Sequence, residues 1–231
     1  MRKWRARDRH QSIGLVVAIC LLTWMLTLAG CATSRGIMDV QLQSVANPVS
    51  GPIVKITRVT DQREFQRRPS APSIPSLKHG EIDNAAITSR AIARKRNGYG
   101  KAMGDILLPE NRTVEQVAKE AIVRGLRESG FQVLEEGDAR YEEAIPLEAD
   151  IYQFWAWLSP GFWSAHLEFD SRIRLTGAIS PFEEGQEFKG YVRLGTQAAS
   201  TRAWRNTITK GLENLNEDMT SRLRAHRANP S

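Results

Sequence analysis

The chain has 231 residues, enough for one domain behind a leader segment. Its formal charge of +6 suggests a nucleic-acid binder, but five of the 32 basic residues and one of the 26 acids fall within residues 1–30; the remainder carries 27 bases against 25 acids, a net +2, which argues against a nucleic-acid partner. Two cysteines, Cys20 and Cys31, and histidines without zinc spacing leave no disulfide framework and no Cys/His metal cluster, so no cofactor and no metal are expected.

The chain starts with a basic run in which Arg2, Lys3, Arg5, Arg7 and Arg9 face one acid, Asp8. Residues 13–28 carry no charge. That stretch is shorter than the ~20 residues of a membrane span and has the form of a secretory signal peptide, 1–30. It exits through Leu28-Ala29-Gly30-Cys31, which resembles the lipobox of bacterial lipoproteins. The resemblance implies cleavage between Gly30 and Cys31, a diacylglycerol thioether on Cys31 and acylation of the new N-terminus. Several acyl chains anchor stably where one does so only marginally. Ala32, in place of Asp, implies by the same resemblance the periplasmic side of the outer membrane. Residues 31–52 are polar and small and read as a tether from membrane to domain. A single domain is then expected over 53–228.

Within it, residues 53–63 alternate and are β-branched, the pattern of a first strand. Residues 64–110 read as a basic, loop-rich insertion, with short strands near 86–93 and 101–108. Its cluster Arg90, Arg94, Lys95, Arg96 and Lys101 is either a solvated run or a contact for lipid headgroups or an anionic glycan. Val114, Val117, Ala118, Ala121, Ile122, Gly125 and Leu126 keep helical spacing, with Thr113 and Gln116 as a capping box and Gly130 as the stop. A short strand follows. Two long strands, 147–158 and 163–179, alternate with period two and should pair as a hairpin. On the first, Leu147, Ala149, Ile151, Trp155 and Trp157 share the face turned to the helices. Charge pairing favours Asp150 opposite Arg172 and Glu148 opposite Arg174. A further strand over 186–197 and a helix over 202–224 close the chain. The fold class is α+β: an antiparallel sheet of about four to six strands with two helices packed on one face, in the order β-α-β-β-β-β-α.

Two features carry functional interest. The stretch FWAWLSPGFW, 154–163, either closes the core or forms a partner- or membrane-contact tip through Phe154, Trp157, Phe162 and Trp163. Phe154 falls on the face away from the helices and Phe162 in the turn. Glu168 and Asp170 lie on one strand face about 7 Å apart, a spacing that suits paired carboxylates. Arg172 and Arg174 adjoin them, as on an ordinary wet face, and no nucleophile or metalloprotease motif accompanies them. An enzyme is not expected.

The lipobox, a strand ending VTDQR, the helix closing on ESGFQV, the strands LEADIYQFWAWL and LEFDSRIRLTGAI, and KGYVRLGTQAAS before the last helix together resemble the YajG-like lipoproteins. The resemblance implies an envelope location and an α+β fold, and no activity. The reading is an outer-membrane-anchored periplasmic lipoprotein, a non-catalytic binding or envelope-maintenance module with an envelope protein or glycan as partner. The alternatives are an accessory subunit of lipid or polysaccharide transport and a cell-wall hydrolase.

Overall fold

The computed structural model describes residues 35–229 apart from 79, 98, 99 and 162–164. Cys31, Gly30, Phe162 and Trp163 lie outside the described residues. The strands are β1 Gly36–Ile37, β2 Ile53–Asp61, β3 Ala91–Arg96, β4 Ala102–Leu107, β5 Gln132–Leu134, β6 Ile145–Pro160, β7 Ala165–Gly177 and β8 Gln186–Thr196. The α-helices are α1 Ala85–Thr88, α2 Val114–Glu128 and α3 Thr201–Ala228.

The fold is α+β as expected, but the sheet is mixed, with eight strands, and is not antiparallel throughout. The 16-residue β6 is its axis. One edge of β6 carries β7 and then β8, both antiparallel. The other edge is shared between two parallel strands. β2 pairs along residues 145–151, and β3 pairs at Ala156. β5 then joins β2 in parallel, β4 joins β3, and β1 joins β4. Parallel partners come from distant parts of the chain, so hairpin periodicity holds no trace of them.

The two long helices share one face. α2 packs on β2 and β5, and α3 on β7, β8 and α2. Their apolar stripes meet Leu147, Ile151, Phe154, Phe169 and Phe188 in the main core. The predicted capping box is present: Gln116 N donates to Thr113 Oγ1 at 3.3 Å, and Thr113 N donates to Gln116 Oε1 at 2.8 Å. At the other end of α2, Arg224 and Arg227 donate to the carbonyls of Glu128 and Ser129. Gly190 and Gly211 let β8 and α3 touch; a Cβ on Gly190 would sit 2.3 Å from the Gly211 carbonyl oxygen.

The hairpin register differs from expectation. Asp150 faces Arg174 and Glu148 faces Thr176, up to Ile151 opposite Ile173. Tyr152 is then an extra residue, and Gln153 faces Arg172. This β-bulge reverses the alternation downstream. Phe154 therefore enters the main core, edge-on to Phe169 at 5.1 Å, while Trp155 and Trp157 turn to the other side of the sheet. Cross-strand charge pairs contribute a few tenths of a kcal/mol, less than seating such an aromatic pair. Glu148 moreover finds its cation, Arg58, on the parallel neighbour β2.

Part of the expected tether belongs to the fold. β1 pairs with β4, and Met38 and Val40 are buried in the main core. Asn47 closes the β5 edge: Val133 N donates to its Oδ1 at 2.8 Å and its Nδ2 donates to Val133 O at 3.0 Å. Two α3 side chains do the same for β8, where Asp218 accepts from Lys189 N and Asn214 donates to Tyr191 O. Side chains thus fill hydrogen-bonding positions that another strand would use.

Candidate functional site

The basic segment folds as the β3–β4 hairpin, and most of its arginines bond within the protein. Arg90 donates from Nε and Nη2 to the Leu108 carbonyl at 3.0 and 2.9 Å. Arg94 lies 3.8 Å from the buried carboxylate of Asp105, which Arg35 also approaches at 3.3 Å. Arg96 donates to Gly100 O and to Ser76 Oγ, and burial pushes its guanidinium pKa down. Lys95 is half-buried, and Lys101 alone of the five is exposed. The insertion over 64–110 is therefore only partly loop; its arginines mainly tie the hairpin to itself, and Arg96 also reaches Ser76 in the segment 64–89 that packs over it.

That segment covers one end of the second sheet face. Trp155 and Trp157 meet Leu77, Ala91 and Leu107 there, with Phe65, Ile82 and Ile87 packed alongside. Trp155 Nε1 donates to Pro72 O and Trp157 Nε1 to Ser159 Oγ. Phe154 is fully buried and Trp157 is 7% exposed, so neither forms a contact tip, and Trp155 does not face the helices as its odd position suggested. The bulge at Tyr152 is the cause.

Arg63 anchors the cover. Its side chain is fully buried, and all five N–H groups have acceptors. Nε and Nη2 hold the Asp61 carboxylate at 2.8 and 2.7 Å. Nη1 donates to Ala91 O and Phe154 O, and Nη2 also to Thr88 O. Arg63 thus bridges the gap on the β6 edge between the end of β2 and the start of β3. In VTDQR, the Asp and Arg are structural.

Beyond Arg63 the cover leaves a cleft of about 330 Å³ against the open part of the second face. One wall is the extended stretch 62–66. Arg63 and Phe65 point inward, while Gln62, Glu64 and Gln66 are exposed and line the cleft. The other wall comes from the bulge and β7: Tyr152, Gln153, Asp170 and Arg172. Because a bulge puts two successive side chains on one side, Tyr152 and Gln153 both reach it. Gln153 Nε2 donates to Ser73 O at 2.9 Å.

The two carboxylates singled out from the sequence do share this face but differ in state. Glu168 is nearly buried, accepts the Tyr191 hydroxyl at 2.5 Å and lies 3.7 Å from Arg193. The bond to Glu168 pushes the Tyr191 hydroxyl up to about 12, since a phenolate there would lose it and meet a like charge. Asp170 has only Arg172, at 3.6 Å, and burial pushes its carboxyl up. Gln62, Glu64, Gln66 and Tyr152 were not legible as site residues. The alternation across 62–66 was a signal for three of them. Tyr152 had none, because the bulge sets its role. Among the described residues no group of three or more His, Cys, Asp or Glu side chains is arranged to hold a metal ion.

No family model matches the chain, and no curated protein matches it. Among solved structures it is similar to an uncharacterized protein, at 7% identity over 82% of this chain and 99% of that one, with a TM-score of 0.45. A Xanthomonas campestris protein described by the family model DUF330 is 14% identical over 82% of this chain and 94% of that one, with a TM-score of 0.42. A protein named as a homolog of a neuraminyllactose-binding hemagglutinin, from Helicobacter pylori, is 8% identical over 79% and 95%, with a TM-score of 0.29.

Proposed function

We propose that this is a YajG-like lipoprotein, anchored through Cys31 to the periplasmic side of the outer membrane, whose domain is a non-catalytic accessory module binding an envelope component. The observation that carries it is Leu28-Ala29-Gly30-Cys31 directly behind sixteen uncharged residues and a basic start. The non-catalytic reading rests on Glu168, whose carboxylate is engaged by Tyr191 and Arg193 and is not presented to a substrate. The transport-subunit reading is less favoured, since Arg90 donates to Leu108 O, Arg96 to Gly100 O and Ser76 Oγ, and Arg94 lies 3.8 Å from Asp105.

Metabolic labelling with an alkyne fatty acid, followed by density-gradient separation of membranes, tests the anchor. The wild-type chain should take up the label and band with the outer membrane, and Cys31→Ser should lose both properties. An unlabelled wild-type chain ends the lipoprotein reading.

A further inference from the structure

We propose that the cleft between the 62–66 wall and the β6 bulge binds an uncharged, hydroxyl-rich saccharide unit. This narrows the accessory reading to a glycan and rests on that reading only for the compartment that supplies the sugar.

Unused hydrogen-bonding capacity is the first argument. Among the described residues, Gln62, Glu64 and Gln66 make no side-chain hydrogen bond, and neither does Tyr152. Among the described residues Asp170 and Arg172 make no side-chain hydrogen bond either: they lie 3.6 Å apart, beyond ordinary hydrogen-bond length, and Lys189 and Glu187 act on Asp170 only through their charge, with opposite signs. Glu168, on the same face outside the cleft, is by contrast engaged by Tyr191, and Gln153 in the cleft wall by Ser73 O. Two carboxamides, two carboxylates and a guanidinium offer donors and acceptors side by side, which suits neighbouring hydroxyls that donate and accept in turn. Tyr152, 43% exposed at the rim, adds an apolar ring face with a polar end.

Size and charge narrow the occupant. A volume of about 330 Å³ lies at the lower end of small-molecule sites, room for a sugar unit and not for a folded partner. Among the charged groups of the cleft, Glu64 and Asp170 outnumber Arg172, and Lys189 and Glu187 beside Asp170 offset each other, so an anionic ligand meets net repulsion. Asp170 is moreover partly withdrawn from water, where a neutral hydroxyl donor satisfies it without a buried charge pair. On the β5 and β8 edges an added peptide strand meets side chains already in place, since Asn47, Asp218 and Asn214 occupy backbone groups there.

The test is calorimetric titration of the full chain, in a detergent free of sugar headgroups, with maltotriose, cellotriose and N,N′,N″-triacetylchitotriose. Glucuronate and spermidine are the anionic and cationic controls. At least one neutral trisaccharide should bind, and Tyr152→Ala and the Gln62→Ala/Glu64→Ala pair should each weaken it at least tenfold while leaving the melting temperature unchanged. These side chains are exposed and make no internal bonds, so the variants should fold. Heat from none of the neutral sugars overturns the proposal, as does binding that survives both variants or a stronger response to either control. Loss of Cys31 lipidation would leave this result intact, and a failed titration would leave the lipid label intact, so the two readings fail separately.

Discussion

In the β3–β4 hairpin, Arg90 and Arg96 end on carbonyl or hydroxyl groups of the protein, and Arg94 beside a buried carboxylate; across the same sheet face, Gln62, Glu64 and Gln66 end on nothing within it. Both regions are polar, and the hairpin carries the more eye-catching run of charge. The difference lies in desolvation. A polar group withdrawn from water is costly unless it has a partner, so the bonds of the half-buried Arg90 and Arg96 report how the hairpin is held. The exposed amides of the cleft remain available to a ligand. Charge count in the sequence points to the first region; bonding state in the structure points to the second.

Arg63→Ala tests the engaged side most severely. It leaves Asp61 as a half-buried carboxylate without its cation and strips the carbonyls of Ala91, Phe154 and Thr88 of a donor. Breaking a buried, fully bonded ion pair costs about 3–5 kcal/mol, so urea unfolding should show a loss of that size. A loss under about 1 kcal/mol would mean that the cover does not depend on Arg63. Tyr191→Phe comes next. It removes the hydroxyl that Glu168 accepts and leaves that carboxylate only Arg193, for an expected loss of about 1–2 kcal/mol by the same measurement. The Gln62→Ala/Glu64→Ala pair sits at the other extreme, with an expected change under about 0.5 kcal/mol. A larger loss would place those side chains with the hairpin arginines and erase the contrast.

How much of this was legible depended on whether the information was local. The helix over 114–128 was readable to its capping box, because spacing and cap are set within a few residues. The long hairpin was readable as an element. Its face was not, since a single extra residue at Tyr152 inverts every side chain after it, and nothing in FWAWL marks the insertion. Trp155 and Phe154 consequently exchanged places. The parallel pairing of β2 with β6 joins segments about ninety residues apart, with nothing local to announce it. For residues 36–40, composition suggested a tether, while the short apolar run Ile37-Met38 and Val40 held the hint of the edge strand and core contact found there. The cleft was the least legible part, because it depends on the bulge, on the inward turn of Arg63 and Phe65, and on Ser73 meeting Gln153 of β6.

Asp170→Asn also gives a small effect, and here the sign is the test. Burial raises the folded-state carboxyl above its ordinary value, with Arg172 opposing. The folded protein therefore holds that proton more tightly than the unfolded chain, and stability falls as pH rises from the ordinary carboxylate value through the raised one. Above that window the cost of the ionised, half-buried group is complete. Asparagine cannot ionise, so the variant should melt slightly above the wild type at pH 7, and the gap should close below about pH 4. The opposite sign at pH 7, with the variant melting lower, would mean that the ion pair with Arg172 outweighs desolvation. Asp170 would then be engaged in the manner of Glu168, and the cleft would lack the open carboxylate that a saccharide hydroxyl is expected to meet.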